Sequence, residues 1–378
     1  MLSKINRILK DILPIRPCDT VLSKYQLWQE CHHKHKSYLD AYQLKGGTED
    51  PDKHYYVFRW TLPSYAILST GLKMLLGYEW AQKNNLIPIV DIEFEQVYAN
   101  GELGTDNMWE YCFEQPCSLA DIHKKKNVIV GPVIHGQKDW KYLRESCKKI
   151  NDNDNDAYIH AVSDAYDNRA YYALLNTISM KVWKIQLPIE NAVNSLSTQM
   201  FGGKKTMGLC LREEFNFGKN TNESSAWKVY RKHPASLEIE EICELIYKYM
   251  EKWDFEYIFV STIYEDSIEK LREKFGDKVL AIKRKRKRIQ ESSEEFEKIW
   301  RLQQINEIKA LKQYCDEIDP KSVRIEQTIL YLQEILLLSK CDYFIGAKCS
   351  GTIAACAMNG GQFEDMCIIP DSRNSKKY

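Results

Sequence analysis

Two short apolar runs, each of strand length and each stopped by residues suited to holding an anion, constrain this chain more than anything else in it. The first is Thr206 to Phe215, TMGLCLREEF, whose apolar stretch ends at Arg212; the second is Phe344 to Ala355, FIGAKCSGTIAA, which is interrupted at Cys349, Ser350, Gly351 and Thr352. Parallel strands of open α/β sheets run out in this way into a binding crevice at their carboxyl ends. If the two ends face one another, they form a nucleotide phosphate site.

The elements around these runs alternate. In the second half the pattern reads strand 206–212, a helix from Ser236 with acidic residues in its first turn, strand 257–262, helix 265–275, strand 278–282, helix 323–339, strand 342–347, helix 350–358 and strand 366–370. Five strands with intervening helices predict a doubly wound sheet. The first half holds a helix over 22–44 stopped by Gly46-Gly47, a βαβ unit (strand 55–60, helix 66–84, strand 86–93) and a further strand at 127–133. Helical patterns follow at 139–150, 157–180 and 189–201, before Gly202-Gly203 punctuates the chain. At 378 residues the length exceeds what one core usually supports. The expectation is α/β with two Rossmann-like domains, 1–190 and 191–378, facing across a cleft. The turn after strand 55–60 reads Leu62-Pro63-Ser64-Tyr65 rather than GxGxxG, so the nucleotide is expected in the second domain.

Charge and cysteine usage narrow the class. Lys and Arg total 53 against 53 Asp and Glu, a balance that argues against a nucleic-acid-coating protein. The twelve cysteines are scattered without a CxxC pair and read as reduced thiols of a cytoplasmic protein. Residues 1–16 form a basic amphipathic pattern, interrupted by Lys4, Arg7 and Lys10. It is no spanning helix, and is open to packing on its own domain or to peripheral contact with the inner face of a membrane. Cys31 with His35 supplies only two aligned metal ligands, and Asn151 to Asp156, NDNDND, lacks the glycine and distal glutamate of an EF-hand loop. No metal site and no cofactor are expected.

Several side chains carry candidate chemistry. Arg212, at the end of a buried strand, can fork two phosphate oxygens or pair with Glu213 or Glu214. Cys349-Ser350-Gly351-Thr352 opens a helix, where free amides favour an anion. Glu334 matches the ring N–H and exocyclic amine of guanine, yet a helical projection sets it opposite the Ile325, Ile329, Leu332 and Leu336 stripe, as for a solvated glutamate. Lys283 to Arg288, KRKRKR, is either a positive rim of the cleft or a solvated loop. In the first half, Asp91 and the stretch holding Trp109 and Glu110 offer carboxylates beside an aromatic face, a pattern suited to a sugar acceptor and equally to a packed tryptophan on a solvated helix.

The order GLCLR, His233-Pro234 before a helix, YIFVST, and LQEILLLSKCDYFIGAKCSGTIAA resembles the donor half of GT-B fucosyltransferases, the α-1,6-fucosyltransferases and protein O-fucosyltransferases. NNLIPIVDIEF and NMWEYCFEQP resemble glycan-assembly glycosyltransferases of bacterial capsule loci. The family strand motif GxHxRRxD reads here Gly208-Leu209-Cys210-Leu211-Arg212-Glu213-Glu214-Phe215. Arg212 matches the arginine that contacts the donor β-phosphate, whereas Cys210, Glu213 and Phe215 replace the histidine, second arginine and aspartate. Ser350 matches the family serine at the last helix start, and Glu334 falls at the acidic residue that reads guanine.

The resemblance implies a metal-independent, inverting transfer of fucose or a related sugar from a GDP-sugar to an oligosaccharide or lipid-linked glycan, in cell-surface polysaccharide assembly. Arg212 and the Ser350 helix end would stabilise the leaving group, and Glu213 or Glu214 would be the base. A noncatalytic nucleotide- or glycan-binding protein with a partner-docking basic loop is the alternative.

Overall fold

A computed structural model describes residues 41–60, 67–92, 107–134, 169–211, 239–288, 317–347 and 349–369. Within these the chain is α/β, with one sheet of mainly parallel strands from each half, as the alternation of elements predicts. The first half contributes β1 (Tyr42–Leu44), β2 (Glu49–Trp60), α1 (Ile67–Lys83), β3 (Ile87–Ile92), α2 (Met108–Cys112), β4 (Phe113–Glu114) and β5 (Lys125–Ile134). It is followed by α3 (Arg169–Val182), β6 (Lys184–Ile185) and α4 (Leu187–Phe201). The second half contributes β7 (Thr206–Cys210), α5 (Ile239–Met250), β8 (Tyr257–Ser261), α6 (Glu265–Phe275), β9 (Val279–Leu280), α7 (Lys321–Leu338), β10 (Tyr343–Ala347), α8 (Ser350–Asn359) and β11 (Asp365–Ile369).

The second sheet has the order β11-β10-β7-β8-β9, all parallel. Counted within this half, that is 3-2-1-4-5 read from the β9 edge, so the strand order reverses between β7 and β10. Both faces are covered, which is why β7 and β10 read as unbroken apolar runs. Their alternate residues separate onto two cores. Met207, Leu209, Ile258, Val260, Tyr343 and Ile345 pack with Ile242 and Ile246 of α5 and Leu271 of α6. Cys210, Phe259 and Phe344 pack instead with Leu332 and Ile335 of α7 and Ile353 of α8.

The second of these cores does not stop at the domain. It runs on through Phe58, Leu68, Met74, Trp109, Tyr172 and Trp183 of the first half. Helices α7 and α8 are therefore sandwiched between their own sheet and the helices of the other half. Polar contacts fix the same junction: Asn176 Nδ2 of α3 donates to Ala357 O and Met358 O at the end of α8, at 2.8 and 3.1 Å. Arg169 Nη1 donates to Phe363 O at 2.9 Å. Among the described residues, the two halves of the chain pack continuously along this side.

The first sheet has the order β1-β5-β2-β3, with β2 parallel to β3 and β5 and β1 antiparallel to β5. Two boundaries differ from the sequence reading. Residues 42–44 extend as β1 rather than closing a helix over 22–44, because Tyr42 and Leu44, two apart, lie on the core formed by Tyr55, Val57 and Val130. Strand β2 begins at Glu49, and its polar start pairs Glu49 with Lys125 across an irregularity that ends at His54. Residue 190, where the sequence reading divides the chain, lies in the first turn of α4; the helix opens with a proline and closes on Gly202 in the left-handed conformation, φ 57°. No helix among the described residues is long and apolar enough to cross a membrane. Residues 1–16, Cys31, His35 and the NDNDND stretch lie outside the described residues.

Candidate active site at the edge of the second sheet

The carboxyl edge of the second sheet gathers the ends of β7, β8, β9 and β10. Cys210 closes β7, and its Sγ stands 4.0 Å from Cys349 Sγ, the residue that precedes α8. Thr352 of the first turn of α8 donates its hydroxyl back to Ala347 O, the last residue of β10, at 2.5 Å. That bond folds the helix tightly onto its strand, and Gly351 permits the fit: a Cβ there would come within 2.6 Å of Tyr331 Oη and 3.1 Å of Ile335 Cδ1. Cys349 makes no side-chain cap hydrogen bond, so the start of α8 points its amides along the edge without a capping acceptor from that residue. Thr352 and Gly351 are buried, Cys349 and Ser350 partly exposed.

Cys210 is held as a thiol rather than as a nucleophilic thiolate. The contact with Cys349, then burial, pushes the Cys210 thiol well above the ordinary thiol range. Burial does the same to Cys341 and Cys356 beneath the sheet.

Glu334 lies one turn beyond Tyr331 on α7, and the structure corrects the projection that sets it toward solvent. It is fully buried, because α7 has neighbours on opposite sides, the sheet on one and the first-half helices on the other. Its carboxylate is also fully engaged. Oε1 accepts from Arg284 Nε at 2.8 Å and Arg286 Nη2 at 2.7 Å; Oε2 accepts from Ser261 Oγ at 2.9 Å and Arg284 Nη2 at 3.1 Å. Four donors on two oxygens leave no lone pair well placed for a guanine edge. Glu334 holds arginines at the site.

Those arginines come from KRKRKR, which is neither rim nor solvated loop along its whole length. The backbone of Lys287 pairs with the turn after β8, donating to Ile263 O at 3.0 Å and accepting from Glu265 N at 3.0 Å. In this extended conformation alternate side chains take opposite sides. Lys283 and Lys285 are exposed, whereas the side chains of Arg284 and Arg286 are only 7% and 4% exposed. Burial, opposed by Glu334 and reinforced by Arg284, lowers the pKa of Arg286. Sequence charge alone could not find this arrangement; the alternation of Arg and Lys was the available signal.

The first-half candidates sit differently. Asp91 is fully buried in β3, the register partner of buried Arg59 on β2. Trp109 is 1% exposed, its ring 4.4 Å from that of Phe113, and so packs the core instead of offering a stacking platform. Glu110 spends Oε1 on Leu119 N and Gln115 Nε2, at 2.6 and 2.5 Å. Among the described residues no three His, Cys, Asp or Glu side chains are grouped to hold a metal. Arg212, Glu213 and Glu214 lie outside the described residues, which run to Leu211 after β7.

No protein-family model and no curated protein sequence matches the chain. Among solved structures it is similar to the fucosyltransferase NodZ from Bradyrhizobium, at 14% identity over 80% of this chain and 92% of that one, with a TM-score of 0.42. It is likewise similar to NodZ α-1,6-fucosyltransferase soaked with GDP-fucose, at 13% identity over 81% and 93%, TM-score 0.40. A mutant of Arabidopsis thaliana FUT1 in complex with GDP matches at 11% identity over 95% and 81%, TM-score 0.39.

Proposed function

We propose that the chain is an inverting glycosyltransferase that moves a sugar, fucose, from a GDP-sugar to a hydroxyl of an oligosaccharide or lipid-linked glycan in cell-surface polysaccharide assembly. One observation carries the reading: the strand order reverses between β7 and β10 at the point where the start of α8, which takes no side-chain cap from Cys349, meets the end of β7. Open α/β sheets bind ligands at such a crevice, and a helix N-terminus there favours phosphate. Residues 191–378 form the donor unit and residues 1–190 the acceptor unit, working in the cytoplasm with the amphipathic residues 1–16 as a peripheral membrane contact.

The acceptor oxygen attacks the anomeric carbon as the bond to the diphosphate oxygen breaks. Glu213 or Glu214 takes the hydroxyl proton. Arg212 and the Cys349-Ser350-Gly351-Thr352 start of α8 neutralise the charge that grows on the departing diphosphate, a role this reading gives to side chains and amides without calling on a metal. Glu334 serves by fixing the arginines beside that charge.

A thermal-shift panel of GDP, UDP, ADP and CMP tests the donor. A ligand at 100 times its Kd stabilises the fold by about 2.7 kcal/mol, and GDP is expected to act most strongly. Stabilisation by UDP alone sinks the guanine assignment. Stabilisation by GDP with neither transfer nor hydrolysis of GDP-fucose leaves a noncatalytic binding protein.

A further inference from the structure

The two arginines held by Glu334 are spent unequally. Arg286 uses all three nitrogens on the protein: Nε donates to Thr262 O at 3.3 Å, Nη1 to Ile282 O at 2.9 Å, and Nη2 to Glu334. Glu265 adds a second carboxylate 3.9 Å from its Nη1. Arg284 uses only Nε and Nη2, on Glu334 Oε1, Glu334 Oε2 and Thr262 O at 2.8, 3.1 and 2.8 Å. Its Nη1, with two N–H groups, has no partner among the described residues, although the side chain is more than nine-tenths buried.

A buried guanidinium with an unspent edge is an incomplete site. That nitrogen is not itself shut off from solvent, and a charged acceptor is the partner that would hold it most strongly. The position of the group says which one. Arg284 follows β9 and bonds to the carbonyl just past the end of β8; its Cζ lies 6.0 Å from the centroid of the Tyr331 ring. Tyr331 Oη in turn lies where a Cβ on Gly351 would stand, against the first turn of α8. Arg284 and the first turn of α8, which takes no side-chain cap from Cys349, thus border the same Tyr331 side chain at the same sheet edge, two independent features that favour a negative charge.

We propose that Arg284 contacts a phosphate group bound at this edge, through Nη1, while Glu334 and the Thr262 carbonyl lock its plane and Arg286 serves only to complete that lock. The proposal deepens the donor reading above: it assigns the β8–β9 side of the crevice to the diphosphate, so that guanine recognition falls to other residues. Lysine at this position keeps a charge near Glu334 but has no second edge to offer.

The test is calorimetric binding of inorganic pyrophosphate, GDP and guanosine to the full chain, to Arg284→Lys and to Arg286→Lys, with circular dichroism and unfolding to monitor the fold. Arg284→Lys is expected to weaken pyrophosphate and GDP at least about tenfold while guanosine binding stays within about twofold of the parent. Arg286→Lys, where the lock loosens without loss of a phosphate contact, should weaken them less. Equal losses for GDP and guanosine mean a structural role and overturn the proposal, as does pyrophosphate binding unchanged in Arg284→Lys. If the parent binds pyrophosphate, Arg284→Lys does not, and GDP binds no better than pyrophosphate, the phosphate site stands and the guanine-nucleotide donor reading falls.

Discussion

Two strand ends in this molecule, that of β3 in the first sheet and that of β7 in the second, begin from the same construction and finish in opposite states. At the end of β3, Asn107 accepts from Ile92 N at 3.0 Å and donates to Val90 O at 2.6 Å, and the same side chain caps α2 through Trp109 N. Trp109 and Glu110 are then consumed in packing and in holding Leu119. At the end of β7 the neighbouring helix starts without a side-chain cap from Cys349, and past the ends of the adjoining β8 and β9 an arginine keeps two donors in reserve. A parallel sheet supplies a crevice wherever its strands stop; binding capacity depends on whether neighbouring polar groups are already satisfied by the protein.

The largest effect expected of breaking this contrast is at Glu334. Glu334→Ala leaves Arg284 and Arg286 buried without their shared counter-charge, which should cost about 3–5 kcal/mol in denaturant unfolding. A loss below about 1 kcal/mol would show that the arginines escape to solvent and that the network is not the anchor of the edge. Trp109→Ala should cost a similar 3–5 kcal/mol through the cavity it opens, yet the further stabilisation that GDP brings should be unchanged. A selective loss of acceptor turnover in a Trp109→Phe variant of parental stability would instead restore Trp109 as a sugar platform.

Gly351→Ala is next in size. Its methyl must displace Tyr331 Oη, so a stability loss of about 1–3 kcal/mol is expected, together with weaker GDP binding as the start of α8 shifts. Parental GDP affinity in this variant would separate α8 from the phosphate. The smallest perturbation is chemical labelling under native conditions, read by peptide mass spectrometry. Cys349 and Cys367, both partly exposed, should alkylate before the buried Cys112, Cys210, Cys341 and Cys356. Burial raises the pKa of Cys112 to about 12, which slows it further. GDP should protect Cys349 and leave Cys367 unchanged.

Much of this was legible in the residues, for identifiable reasons. The strands of the second sheet could be read because a doubly covered parallel sheet demands uninterrupted apolar runs, and Gly202, where the sequence breaks, closes α4 in the left-handed backbone. Helix α6 was read at Glu265–Phe275 because its apolar residues recur at helical spacing. Glu334 was misprojected because a periodicity argument assumes one buried face, whereas α7 is buried on two. KRKRKR was judged by its charge, while its conformation is set by backbone pairing of Lys287 with a segment more than twenty residues earlier. Strand β1 escaped notice since three residues cannot establish a period.

The most direct measurement is amide hydrogen exchange across the whole chain with and without saturating GDP. Slower exchange is expected in the first turn of α8, at the end of β7 and through residues 282–288, with β3 and α2 unchanged. Protection confined to β3 and α2, or protection in neither region despite bound GDP, would contradict the placement of the site at the second sheet.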